Sequence, residues 1–159
     1  MTISHADDRI LVIGYGNNLR GDDAAGRIVV ESVAAKHLPH VVAISATQLV
    51  PELATVIASS RAVIFVDASV DGGQSVEVRE LTPACPLSRR FHDTGPRELL
   101  ALTRNCYGHP PLAWLVTVPG RDFKLGEQLS VDAQRHVVAA AREVGRLIDQ
   151  LMEHEVGHA

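Results

Sequence analysis

Apolar residues along this chain fall into two patterns that alternate from one end to the other. Residues 10–13, 41–44, 62–66 and 112–118 form short runs almost free of polar side chains, which fits strands buried on both faces. Between and after them apolar residues recur every three or four positions. Ala25, Ile28, Val29 and Val33 make one such stripe, Leu53, Val56 and Ile57 a second, and Leu99, Leu100 and Leu102 a third. The longest joins Val137, Ala140, Ala141, Val144, Leu147, Ile148 and Leu151. Residues 75–81 differ: Val76 and Val78 alternate with Glu77 and Arg79, as on an edge strand with one wet face. Asp71, Gly72 and Gly73 form a turn before it, so this strand can run antiparallel. Pro39 ends the first helix, Pro51 and Pro96 mark later helix starts, and Ser130 is placed to cap the last. The pattern predicts a three-layer α/β/α fold. Its sheet is twisted, five-stranded and mostly parallel with one antiparallel strand, and helices cover both faces.

With 159 residues, 46% of them hydrophobic, the chain can fill one core but not comfortably two. A single domain is expected over 1–159, its core at about 9–152 between polar tails. The net charge of -4 gives no basic field, so nucleic acid and anionic membranes are poor partners; Arg89 and Arg90 make only a small local spot. The opening MTISHADDRI lacks the apolar centre of a secretory signal, and no run approaches a membrane span, so a cytoplasmic protein without membrane insertion is expected. Cys85 and Cys106 share no C-x-x-C spacing, which favours reduced thiols over a disulfide or zinc site.

Candidate chemistry gathers in residues 10–33, ILVIGYGNNLRGDDAAGRIVVESV, where a strand passes through a glycine turn into a helix. Gly14 and Gly16 allow close backbone approach, Asn17 and Asn18 suit a turn, and Gly21 lets the chain reverse. A dinucleotide fingerprint would need a sixth-position glycine. That position is Leu19, and two carboxylates at the helix mouth would repel a pyrophosphate. Asp22 is expected to cap the helix, leaving Asp23 in its first turn. Asp67 stands where the third apolar run ends, at the carboxyl edge of the sheet, where open α/β sheets bind ligands. Asp23 and Asp67 are therefore expected to face one crevice, although an ordinary loop aspartate would also suit the run DASVDGG.

The arrangement G-x-G-N-x-L-x-x-D-D-x-x-G, from Gly14 to Gly26, resembles the opening of the nickel-iron hydrogenase maturation proteases. The resemblance continues in V-D-A around Asp67, in H-x-x-G from His92 to Gly95, and in WLVTVPGRDFKLGEQLS from Trp114 to Ser130. It runs nearly the whole way from Ile10 to Leu151. It implies an endopeptidase that removes the C-terminal extension of a hydrogenase large-subunit precursor once nickel is inserted. Asp23, Asp67 and His92 are implied as the catalytic and nickel-holding set, with Gly16, Asn17 and Gln48 on the substrate side. The nickel itself is expected to arrive with the precursor. His109 is a reserve ligand, whereas His154 and His158 are expected in a frayed tail. Two departures stand out: Ala24 replaces a frequent glycine, and Asp23 is one methylene shorter than the glutamate of some members.

Two carboxylates and an imidazole suit a divalent first-row metal and leave positions open for substrate or water. Such an ion could polarise the scissile carbonyl, activate water or identify a loaded precursor, and a carboxylate could serve as general base. The residues alone do not choose among these. No G-x-S-x-G elbow, H-E-x-x-H helix or recognisable cysteine–histidine motif offers another peptidase mechanism. A non-catalytic nickel-dependent chaperone of the immature subunit would use the same ligands without cutting. A small-molecule hydrolase would turn over with no protein partner.

Overall fold

The computed structural model describes residues 7–71, 73–85 and 94–156. At its centre is β1 (Asp7–Tyr15), whose Ile10, Leu11, Val12 and Ile13 are wholly buried. It pairs in parallel with β2 (Val41–Ala46) on one side and β3 (Ser60–Ser69) on the other. Parallel β5 (Leu112–Pro119) follows β3, and β4 (Glu77–Glu80) closes the sheet antiparallel to β5. The strand order is β2-β1-β3-β5-β4. This is the mixed sheet expected from the hydrophobic pattern, with part of the alternating segment as its antiparallel edge. All four residues of β4 are exposed, Val78 included, so the strand does not have the single wet face expected of it.

Successive strand residues point to opposite faces, which divides the core into two layers. Ile10, Val12, Ile64 and Val66 face α1 (Ala25–Ala34) and α4 (Val131–Val156). Leu11, Ile13, Val63 and Phe65 face α2 (Leu53–Ala58) and α3 (Pro96–Tyr107). Each of these large apolar side chains, taken fully from water, contributes roughly 2 kcal/mol before entropy is counted. On α4 the stripe Val137, Ala140, Val144, Leu147, Ile148 and Leu151 is buried as its spacing predicts. Ser130 caps this helix, its Oγ accepting the Ala133 amide at 3.2 Å.

Several expectations need correction. β2 is a sheet edge and is half-buried rather than buried, because only β1 lies beside it. β3 does not stop at Asp67 but runs to Ser69, since β5 keeps pairing with it after β1 has ended. α1 begins at Ala25, and the acidic pair lies in a preceding 3-10 turn, Gly21–Ala24. His154 belongs to α4, which continues to Val156; His158 lies outside the described residues.

The glycine spacing of the first block has a packing reason. A Cβ on Gly14 would stand 2.2 Å from the Gly26 carbonyl oxygen, and one on Gly26 would stand 2.3 Å from that of Val66. Without side chains at these places β1, α1 and β3 meet backbone to backbone. That contact brings the turn after β1 against the end of β3.

Candidate functional site

From β1 the chain leaves through α1 to β2 on one side, while β3 lies on the other, so the two connections part at the carboxyl end of β1. Such a split leaves a crevice above the strand ends. The last pair between β1 and β3 is Gly14 with Val66, so Asp67 is the first β3 residue beyond that ladder. Its Oδ2 accepts the Tyr15 hydroxyl at 3.0 Å.

Across the crevice the turn holds Asp23 by its backbone. The Asn17 amide donates to Asp23 Oδ2 at 2.7 Å, and Asn17 Oδ1 accepts the Leu19 amide at 2.9 Å, which closes the turn. Gly16 makes this approach possible: its φ is +150°, and a Cβ there would stand 1.9 Å from the Asp23 carbonyl oxygen. Its own amide donates to Ala46 at the end of β2, 3.1 Å away. Gln48, two positions further on, is exposed at the same edge.

The electrostatics couple the two carboxylates. Burial raises the Asp67 carboxyl to about 6, and the charge of Asp23 pushes the same way, against hydrogen bonds from the Tyr15 hydroxyl and the Ala68 amide. Burial, with the charge of Asp67 beside it, also drives the Tyr15 hydroxyl far above its ordinary range, so this group keeps its proton. A carboxylate short of solvent and beside a second negative charge would gain from a cation, and oxygen donors of this kind fit a divalent ion. Among the described residues no three His, Cys, Asp or Glu side chains gather closely enough to hold one. Asp23 and Asp67 provide two donors, and His92 lies outside the described residues.

Two sequence expectations are overturned here. Asp22 makes no side-chain cap to its helix. Its carboxylate turns away and accepts hydrogen bonds from Arg121, Asp122 and Ser130, donors in the β5–α4 connection that outcompete the local amides. Although burial opposes it, these bonds hold the Asp22 carboxyl below the usual carboxylate range. His109 cannot stand in as a ligand, because it precedes β5 at the opposite edge of the sheet. Leu112 pairs with Ala62, five positions before Asp67 and roughly 16 Å away along the strand.

Tyr15 was missed by sequence reasoning, as the unspecified residue between two glycines. Its signal lay in the alternation: Leu11 and Ile13 share its face, and it follows Gly14, whose partner Val66 directly precedes Asp67.

No protein-family model matches this chain, and no curated protein matches it. Solved structures do. The NiFe hydrogenase maturation protease HycI from Thermococcus kodakarensis KOD1 is 24% identical, with a TM-score of 0.66 over 92% of this chain and 93% of that one. The hydrogenase maturating endopeptidase HybD from E. coli is 20% identical, with a TM-score of 0.68 over 89% and 93%. An endopeptidase from Escherichia coli, solved in solution, is 26% identical, with a TM-score of 0.66 over 86% and 89%. The chain therefore has the fold of these proteins, and the resemblance read from residues 14–26 agrees with it.

Proposed function

We propose that this chain is a nickel-iron hydrogenase maturation protease, an endopeptidase that removes the C-terminal extension of a hydrogenase large-subunit precursor after nickel insertion. What supports this reading is the placement of Asp23, held by the Asn17 amide in the turn after β1, and of Asp67, just beyond the β1–β3 ladder, at one edge of a sheet whose fold is shared with solved endopeptidases.

Asp67 is the proton acceptor of this reading. With its carboxyl near 6 it is mostly ionised at neutral pH, yet more basic than an ordinary aspartate, which suits it to take a proton from water attacking the scissile carbonyl. Tyr15 orients it by donating to Oδ2. Asp23 is held in the turn by the Asn17 amide. Gly16, Asn17 and Gln48 line the rim where the extended chain of the precursor lies. Asp23, Asp67 and His92 would hold the nickel carried by the precursor, and bound there it would polarise a carbonyl or mark the loaded state. The reaction belongs to the cytoplasm. Among the described residues no helix is long and apolar enough to cross a membrane.

The test is intact-mass measurement of the precursor, with and without nickel, after incubation with the purified protein. A shortened product from the nickel-loaded precursor alone is expected. A nickel-dependent complex of unchanged mass would overturn the protease and leave a non-catalytic chaperone.

A further inference from the structure

We infer that Asp22 is the positioning residue of this site, its buried carboxylate pinning the β5–α4 connection onto the turn that presents Asp23. Only the rate consequence of this inference rests on the protease reading.

Asp22 has no exposed surface. Its Oδ2 accepts the Arg121 amide at 2.7 Å, the Asp122 amide at 2.9 Å and the Ser130 hydroxyl at 2.7 Å, while Oδ1 accepts the Ser130 amide at 2.7 Å. These donors come from 99 to 108 positions further along the chain. Ser130 Oγ in turn accepts the Ala133 amide, so one carboxylate ties together the turn, the connection and the first turn of α4. Backbone bonds complete the seam: the Asp22 amide donates to Asp122, the Gly21 amide to Gly126, and the Gly126 amide to Leu19.

Only a carboxylate meets this set of donors. An ionised aspartate is acceptor-only, whereas asparagine has one acceptor oxygen and would turn an NH2 group toward N–H and O–H donors. The bond to the next residue carries the effect into the crevice. Asp22 and Asp23 share a peptide unit, the Asp23 carbonyl abuts Gly16, and the Asp23 carboxylate receives the Asn17 amide. A shift of the Asp22 backbone therefore moves Asp23 away from Asn17. At its tip the connection is held by the backbone bonds of Gly126 rather than by side-chain burial, with Leu125 82% exposed.

The experiment compares Asp22→Asn with Val144→Ala, a core change on α4, at a temperature well below both melting points. Amide hydrogen exchange at Asn17 reports the Asp23 contact directly, and cleavage kinetics report the site. Asp22→Asn is expected to raise exchange at Asn17, Arg121 and Asp122, and to lower kcat by about 10- to 100-fold, as loss of an orienting partner does, with KM little changed. Val144→Ala should lower the melting temperature without either effect. Unchanged protection at Asn17 in Asp22→Asn, or an equal loss of kcat in Val144→Ala, would overturn the inference. Should Asp22→Asn fail to fold, Ser130→Ala removes one donor and keeps three; faster exchange at Asn17 supports the inference, and no change refutes it. If the wild-type protein does not cleave, the protease reading fails while exchange at Asn17 still decides this point.

Discussion

Asp22 and Asp67 are both largely withdrawn from water at the same edge of the sheet, yet their carboxyls shift in opposite directions. Four donors converge on Asp22 and hold its charge, so a buried acid becomes a fixed anion. Asp67 has the Tyr15 hydroxyl and the Ala68 amide, with Asp23 nearby, and burial prevails. The number of donors, more than the depth of burial, separates an acid that holds structure from one prepared for proton transfer.

The largest effect that sharpens this contrast is on rate. Asp67→Asn should lower cleavage by about 10³-fold, within the range for loss of a general base, while thermal unfolding shows an intact fold. Progress curves by intact mass check it.

Next comes stability. Asp22→Ala strands buried donors and should cost about 3 kcal/mol in chemical denaturation, whereas Asp67→Asn should stabilise the protein by on the order of 1 kcal/mol at pH 7, allowing for partial solvent screening. Equal effects of the two changes would erase the comparison.

The pH dependence follows the same signs. Asp67, raised in the folded state, contributes stability that is full below the ordinary carboxylate pKa of about 4 and is lost as pH rises through about 6. Asp22, lowered, contributes stability present above its ordinary pKa and lost as pH falls through its folded value. Unfolding free energies measured from pH 3 to 8 should lose the decline between about 4 and 6 in Asp67→Asn, while retaining the acid-side loss.

The smallest effect concerns Tyr15. Its hydroxyl favours the charged form of Asp67, so Tyr15→Phe should raise that carboxyl further and move the acid limb of kcat/KM to higher pH, with about a fivefold loss below the limb. A profile that superimposes on wild type would remove Tyr15 from the account.

Most of the fold was legible because burial writes itself into local periodicity. The apolar run at 62–66 and the stripe on α4 needed no partner to be recognised, and the alternation of Val76 and Val78 marked the antiparallel edge. Asp67 was legible for the same reason, as the first carboxylate after a buried run. Asp22 was misread because its donors lie about a hundred positions away, and from neighbours alone an aspartate before a helix reads as a cap. Tyr15 escaped because register between β1 and β3 is a pairing property that one strand does not encode. The half-burial of β2 depends likewise on its place at the sheet edge.

The central claim is that Asp23 and Asp67 act as one unit, and a double-mutant cycle on cleavage rate tests it most directly. Asp23→Asn and Asp67→Asn should each cost about 10³-fold, and the double variant should fall by no more than about tenfold further, because a broken unit cannot be broken again. Losses that multiply to about 10⁶-fold would show two independent groups and contradict the account.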